Sequence, residues 1–187
     1  MFEKGEELNM EHAYGEVAIT TLSTCYKKIK FYTHENIGFG EISLPPEEMH
    51  TTAYWLALAD DSRELLKRLE SEDTSFNLSS GLLALSNVLI NVVPLYVMCD
   101  PQDIRAVSEA RSPFTGEPTI YIYDNYPGGV GFSEKMFELR RPLLQAAQEL
   151  ILGCGCEKGC PSCVGPIDEV GIKGKESALL ILREALS

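Results

Sequence analysis

Basic residues are scarce in this sequence, and their scarcity limits what the chain can bind. Sixteen lysines and arginines stand against 28 aspartates and glutamates, which gives a formal charge of −12. Proteins bind nucleic acids mainly by neutralising phosphates with lysine and arginine. We therefore expect the chain alone to have only weak affinity for DNA.

Long hydrophobic runs are also missing. Residues 1–20 contain five glutamates and no apolar stretch of signal-peptide length, so no export signal is predicted. The longest apolar stretch, Val88 to Met98, contains Asn91 and Pro94 and is shorter than the roughly 20 residues that span a bilayer. These features favour a cytoplasmic protein that does not enter the membrane.

The usual catalytic side chains form no recognisable arrangement. His12, His34 and His50 are scattered and have no obvious serine or cysteine partner, so the sequence does not support a nucleophilic triad. Asp100 and Asp103 could act as acid and base or hold a cation, but aspartate beside proline is typical of a turn. No catalytic residue is predicted.

Cysteine is the residue whose distribution is informative. Only six occur in 187 residues, too few for a secreted disulfide scaffold, yet Cys154, Cys156, Cys160 and Cys163 lie within ten positions. In a cytosolic protein such a cluster indicates metal binding or redox chemistry. Four thiolates can surround one Zn²⁺ at about 2.3 Å and leave no open position. The pattern predicts one structural zinc ion held by these four cysteines.

Three other interpretations of the cluster stay open. Disulfides are disfavoured by a reducing cytoplasm, and Cys154 with Cys156 would close an unusually small ring. An iron–sulfur cluster is possible, although the spacing C-x-C-x3-C-x2-C differs from the ferredoxin pattern. Cys160 and Cys163 resemble a thioredoxin-like C-x-x-C motif, but two further cysteines stand beside it and no βαβ unit leads into it. Cys25 and Cys99 are expected to be small core residues.

The length and the 44% hydrophobic content suit one compact domain. Residues 1–15 are acidic and lack clear periodicity, so we interpret them as a mobile arm or the remnant of a linker. The domain is then expected over residues 16–187. The order of the patterns predicts an α+β fold, with antiparallel strands and hairpins packed against several helices.

Two strand-like segments, Val17 to Lys30 and Lys30 to Thr33 continuing past Gly38 and Gly40, predict an antiparallel hairpin or meander. Strand patterns also cover residues 49–58, where a helix is nearly as well supported, and residues 103–110 and 119–124, which are predicted to form a hairpin with a long loop. Helical spacing predicts helices over residues 62–70, from Ser79 or Ser80 to near Pro94, and over residues 176–186. From Ser133 to residue 151 it predicts a helix that is kinked or in two parts near Pro142.

Tyr126 to Ser133 follows a predicted strand and opens a predicted helix, a setting in which backbone amides can bind phosphate. The segment lacks the third glycine of a dinucleotide fingerprint and the lysine of a P-loop. A tight strand-to-helix turn is therefore favoured. The basic groupings, which we interpret as solvated faces, are Lys27, Lys28 and Lys30, Arg140 and Arg141, and Lys173 and Lys175.

Five segments together resemble one known family. They are Tyr26 to Phe31, Glu48 to Trp55, Met98 to Ile104, Tyr123 to Gly131 and the cysteine loop from Gly153 to Gly165. In this order they resemble the MrfA zinc-binding (MZB) domain, which lies at the C-terminal end of superfamily 2 DNA repair helicases of the MrfA type. The resemblance extends over nearly the whole chain from about Gly15.

The resemblance implies a zinc-binding accessory domain of an ATP-dependent 3′–5′ DNA helicase that acts in repair of DNA damage, including mitomycin-type lesions. It carries the zinc-ligand role to Cys154, Cys156, Cys160 and Cys163. The expected partners are helicase motor domains and, beside them, single-stranded DNA, and the chain itself is expected to be a monomer.

The chain departs from the parent helicases because it has no Walker A lysine loop, no DEAH-type box and no second motor lobe. We therefore expect no enzymatic activity from the chain alone. Two functions stay open: a domain that helps guide single-stranded DNA beside a motor, and a standalone zinc-stabilised module that binds a protein partner.

Overall fold

The structure, a computed structural model, describes residues 2–8, 10–58, 64 and 76–187. Its strands are β1 (Phe2–Leu8), β2 (Met10–Thr21), β3 (Cys25–Ile29), β4 (Asn36–Glu41), β5 (Glu47–Leu58), β6 (Ile104–Glu109) and β7 (Thr119–Asp124). Five of them form an antiparallel sheet in the order β1-β2-β5-β7-β6, and β3 pairs with β4 in a separate antiparallel hairpin.

The helices are α1 (Leu78–Val97), α2 (Phe132–Glu138), α3 (Arg140–Gly153), α4 (Ile167–Val170) and α5 (Gly174–Leu186). Helix α1 packs against β6, α3 and α5. The predicted α+β class is confirmed, and residues 49–58, which the sequence left between strand and helix, lie in β5.

The main core lies between one face of the sheet and the helices. Side chains alternate along a strand, so Leu56 of β5 and Ile120 and Ile122 of β7 share this face, and all three are almost completely buried. Leu85 and Leu89 of α1 lie in the same buried cluster. Burial of this apolar surface is the main favourable term for folding.

Helix α1 is long and apolar enough to cross a membrane, judged by length and composition alone. More than half of its most apolar window, 56%, is buried inside the domain. A helix that is apolar on nearly every side is also what the centre of a folded domain requires. The helix begins ten residues before the apolar stretch seen in the sequence and ends at Val97, one residue before that stretch ends.

The opposite face of the sheet carries a smaller apolar cluster. Trp55 of β5 is 6% exposed and lies edge-on to Phe114, with ring centroids 5.8 Å apart. The ring of Tyr121 of β7 also contacts Trp55, at 6.1 Å between centroids. Phe114 belongs to the loop between β6 and β7, so this loop covers the only tryptophan in the chain.

The expectation that the domain begins near Glu16 was wrong. Strand β2 starts at Met10, and Met10, His12 and Ala13 are buried, while residues 2–8 form β1 at the edge of the sheet. Local spacing did not reveal this strand because Glu11 and Glu16, five residues apart, lie on opposite faces, and each face also carries a buried residue, such as His12 or Ala13. Residues 10–15 belong to the folded domain and are not an arm.

Two helix boundaries differ from the predicted ones for identifiable reasons. The N-cap of α1 is Asn77, whose side-chain oxygen accepts from the Ser80 amide at 2.8 Å, and not Ser79 or Ser80. The break between α2 and α3 falls at Leu139, so Pro142 lies in the first turn of α3. There the missing amide of proline removes no helical hydrogen bond.

The predicted helix over residues 62–70 lies outside the described residues apart from Glu64.

The loop from Tyr126 to Ser133 joins β7 to α2, and its backbone amides donate hydrogen bonds to a buried carboxylate. Asp124 Oδ2 accepts from the amides of Val130, Gly131 and Phe132 at 2.8 to 3.2 Å. Asp124 Oδ1 accepts from the Ser133 amide and hydroxyl at 3.1 and 2.6 Å. These amides are the donors that a phosphate would need, so the strand-to-helix turn is confirmed.

The same loop is fixed on β5 by close packing. Gly128 donates its amide to His50 O at 2.8 Å, and Thr51 Oγ1 contacts the carbonyl oxygens of Asp124 and Tyr126 at 2.7 and 2.8 Å. Gly129 has φ +72°, and a Cβ there would come within 2.2 Å of Thr52 Oγ1. Only glycine suits this position.

We predict that Asp124→Asn destabilises the domain by about 3 kcal/mol, because an amide group replaces one acceptor that serves several buried donors. Equilibrium unfolding in urea, with zinc present, measures the change. Asp100→Asn is the matched control: Asp100 is exposed and accepts from the Gln102 amide at 2.8 Å, which an asparagine oxygen can also do. Equal stability of the two variants would contradict the capping role of Asp124.

Candidate metal centre

The four clustered cysteines converge on one point in the fold. The Sγ atom of Cys154 lies 3.5 Å from that of Cys156 and 3.6 Å from that of Cys160. Cys163 Sγ lies 3.4 Å from Cys156 Sγ and 3.5 Å from Cys160 Sγ, and all four sulfur atoms are within 4.8 Å of one another. All four cysteines are free thiols.

These distances fit a tetrahedral site for a single metal ion. Sulfur atoms at about 2.3 Å from a central zinc ion stand about 3.8 Å apart along the edges of a regular tetrahedron. Thiols around a multi-iron cluster stand farther apart, because the inorganic core lies between them. The arrangement is therefore compatible with one zinc ion bound by four sulfur ligands, with no position open for a substrate.

Helix α3 delivers the first ligand and two glycines shape the loop that returns the others. Cys154 is the C-cap of α3, and the loop then turns back so that Cys163 and Gly165 both donate their amides to Cys160 O at 3.0 Å. Gly159 and Gly165 have φ of +128° and +104°, and a Cβ on either would clash with neighbouring atoms. Gly155, in contrast, has open space around it.

Helix α1 holds the far end of this loop. Asn87 donates its side-chain amide to Val164 O at 3.1 Å and to Glu169 Oε1 at 3.3 Å. One turn later, Asn91 donates to Cys163 O at 3.3 Å. The two asparagines lie four residues apart, on one side of the helix. The cysteine loop is thus fixed to the central helix of the core, and Cys163 itself is buried.

Lys175 of α5 supplies a positive charge to the cluster. Its Nζ donates to the carbonyl oxygens of Cys154 and Cys156 at 2.9 and 2.5 Å and lies 3.4 Å from Cys156 Sγ. The interpretation of Lys175 as part of a solvated face was wrong. Its position 19 residues beyond Cys156 gave no local signal, because the contact forms only when α5 packs beside the loop.

The thiols of the cluster differ in acidity. Burial raises the pKa of the Cys163 thiol to about 12. Partial desolvation also acts to raise the pKa of Cys156, but contacts with Cys163, Cys154 and Lys175 outweigh it and lower that pKa to about 7. A bound metal requires all four as thiolates, so metal binding must displace protons from the cluster.

The other candidate residues do not join this cluster. Cys25 is exposed at the start of β3, contrary to the expected core position, and Cys99 is half-buried against the core. Asp100 and Asp103 form a turn, in which Asp103 Oδ2 accepts from the Asp100 amide at 2.9 Å. The turn interpretation of these two aspartates is confirmed.

His12 is the one buried histidine. It is fully buried, and its Nδ1 lies 2.7 Å from Tyr54 Oη. Burial, assisted by the nearby charge of Arg140, lowers the pKa of His12 to about 4. His12 is therefore neutral at neutral pH and packs as part of the core, whereas His34 and His50 are exposed.

The chain matches known proteins along most of its length. The family model described as "MrfA Zn-binding domain" matches residues 85–164, a range that contains all four clustered cysteines. An ATP-dependent helicase of Bacillus subtilis (strain 168), YprA, is 44% identical over 169 residues, which are 90% of this chain and 21% of that protein. A protein of Methanocaldococcus jannaschii is 30% identical over 112 residues, 56% of this chain and 98% of that protein.

The chain belongs to the MrfA zinc-binding (MZB) domain family.

Solved structures of the DUF1998 helicase MrfA contain the same fold. The DNA-bound structure superposes with a TM-score of 0.71 at 43% identity, over 97% of this chain and 23% of the helicase chain. A second crystal structure of the DUF1998 helicase MrfA gives a TM-score of 0.62 at 34% identity, over 96% of this chain and 22% of the helicase chain. This MZB chain thus spans about a fifth of the length of its helicase relatives.

Because Lys175 offsets the negative charge of the thiolates, we predict that Lys175→Met lowers zinc affinity by about 10- to 100-fold, the usual effect of removing a partner of a metal ligand. Competition with a chromophoric zinc chelator at neutral pH measures this. Lys173→Met is the control, since it removes a nearby positive charge whose Nζ lies 3.3 Å from Glu176 Oε2. Unchanged affinity in Lys175→Met would refute the electrostatic role.

Proposed function

We propose that Cys154, Cys156, Cys160 and Cys163 are the ligands of one structural zinc ion in this MZB domain. The convergence of their sulfur atoms within 4.8 Å supports the proposal. Such an ion would supply no reaction chemistry, because four thiolates complete its coordination. It would cross-link the end of α3 to the start of α4 and so stabilise the side of the domain on which α5 also packs.

We further propose that the domain is an accessory part of an ATP-dependent 3′–5′ DNA helicase that acts in repair of DNA damage, including mitomycin-type lesions. The observation that carries the proposal is the match of 90% of this chain to about a fifth of an ATP-dependent helicase, YprA. The structural relative DUF1998 helicase MrfA was solved bound to DNA, which supports a setting in which motor domains and DNA lie close to this fold.

In this role the domain would help guide single-stranded DNA and leave ATP hydrolysis to the motor. Phosphoryl transfer needs a phosphate-binding loop with its lysine and metal-binding carboxylates. The loop most like a phosphate cradle, Tyr126 to Ser133, has its amides bonded to Asp124. We propose that the chain acts in the cytoplasm, as a monomer outside the membrane, and has no turnover of its own.

A standalone interaction module is the second candidate. The region shared with the Methanocaldococcus jannaschii protein makes up 98% of that protein. A protein of that size has little room for helicase motor lobes. Under this alternative, the zinc-stabilised domain would recruit a protein partner and contribute nothing to unwinding.

The zinc assignment predicts about one zinc ion per purified chain. Changing Cys160 and Cys163 to serine together should abolish stoichiometric zinc, because two hard hydroxyl ligands replace two thiolates. Metal analysis measures the zinc, and hydrogen exchange should show lost protection over residues 150–170. The matched control is Cys25→Ser with Cys99→Ser, which should keep zinc and protection. Full zinc content in the double ligand variant, or an iron–sulfide absorption band in the wild type, would refute the assignment.

The accessory role predicts weak DNA binding by the chain alone, with a Kd of about 10 μM or weaker near physiological salt, because the net charge of −12 opposes a polyanion. Titration of a fluorescent single strand at low and moderate salt measures it. Nanomolar binding would contradict the charge argument.

The role itself is tested in a related helicase. We expect removal of the MZB domain to reduce processive unwinding while ATP hydrolysis by the motor persists. If a stably folded motor without the domain unwinds DNA equally well, the guiding role is wrong and the interaction module is the better proposal.

A further inference from the structure

The hairpin of β3 and β4 stands apart from the rest of the fold. Every residue of β3 is exposed, and the two strands form a sheet of their own. A lone two-stranded hairpin is only marginally stable in water. Here the turn is closed by an ion pair of 2.6 Å between Lys30 Nζ and Glu35 Oε2 and by the Lys30 amide, which donates to Glu35 O at 3.0 Å.

The hairpin exposes large aromatic and aliphatic side chains to solvent. At its tip, Phe31 is 85% and Tyr32 90% exposed, and their rings meet edge to face at 5.3 Å. On β4, Ile37 and Phe39 alternate with glycines, so they lie on one face, 59% and 65% exposed. Such exposed apolar groups mark a surface that another molecule covers.

The charge of the hairpin indicates what that molecule is. Residues 25–41 contain three lysines and two glutamates, whereas the whole chain has a net charge of −12. Lys27 lies directly opposite Phe39 across the two strands, so the amine and the ring share a face. On the other face, Lys28 Nζ lies 5.6 Å from the centre of the Tyr26 ring, which packs over Gly40.

Aromatic rings beside amines form the combination that binds single-stranded nucleic acid. Bases stack on the rings without regard to sequence, and lysines neutralise the phosphates between them. Duplex DNA keeps its bases stacked inside the helix, so exposed rings gain little from it. We propose that the β3–β4 hairpin is the element of this domain that contacts single-stranded DNA, through Lys27 and Phe39 on one face, Lys28 on the other face, and the rings of Phe31 and Tyr32 at the tip where the two faces meet.

This inference rests on the proposed role in guiding single-stranded DNA and assigns that role to one element. The first test is an NMR titration of the whole chain with an oligothymidylate at low salt, followed through backbone amide signals. We expect the shifts to concentrate at residues 26–40, with little change in α5. Shifts confined to other parts of the surface would overturn the assignment to the hairpin.

The second test uses variants and the salt dependence of binding. Lys27→Ala with Lys28→Ala should weaken binding about tenfold and reduce the slope of log K against log salt by about 1.4, the effect expected for two phosphate contacts on a single strand. Phe39→Ala should weaken binding about fivefold or more with the slope unchanged, and Phe39→Trp should restore it. Lys135→Ala with Arg183→Ala removes two exposed charges elsewhere and is the matched control.

The outcomes separate the two proposals. If the wild type binds and the hairpin variants, with zinc content and core signals unchanged, bind as well as the control, the hairpin assignment is wrong and its apolar face is a contact for a protein partner. If the wild type binds no single strand even at low salt, both the guiding role and the hairpin assignment fail.

Discussion

Burial of helix α1 is the constraint on which the rest of this domain depends. The helix packs against the sheet through β6, against α3 and against α5, so each layer of the fold contacts it. It is apolar almost all round, and only a position enclosed on several sides removes that surface from water. The few polar groups on it, such as Asn87 and Asn91, are where it meets the cysteine loop.

The position of the metal centre follows from that packing. Asn87 and Asn91 fix the second half of the cysteine loop, α3 supplies its beginning, and Lys175 reaches it from α5. A zinc ion at this point would join elements that already pack together in the core. Metal binding and the folding of this side of the domain are expected to be coupled for that reason.

Two polar sites inside the fold are satisfied by donors from the same chain. The carboxylate of Asp124 accepts hydrogen bonds from the amides at the start of α2, and the thiol of Cys156 lies beside the amine of Lys175. Both arrangements satisfy buried polar groups that would otherwise destabilise the structure. The basic residues of the β3–β4 hairpin face solvent instead, so the surface most suited to a polyanion lies away from the acidic body of the chain.

The sequence by itself determined the α+β class, the hairpins, most of the helices and the four-cysteine cluster. Those features rest on local spacing: two residues along a strand, between three and four along a helix, and the short separations between Cys154 and Cys163. Only the tertiary structure decided that Met10 belongs to the core, that Asp124 occupies the amides of the glycine loop and that Lys175 reaches the thiols. Each of these depends on residues that are far apart in the chain and are brought together by packing, such as Met10 opposite Leu58. Local sequence patterns do not predict contacts of this kind.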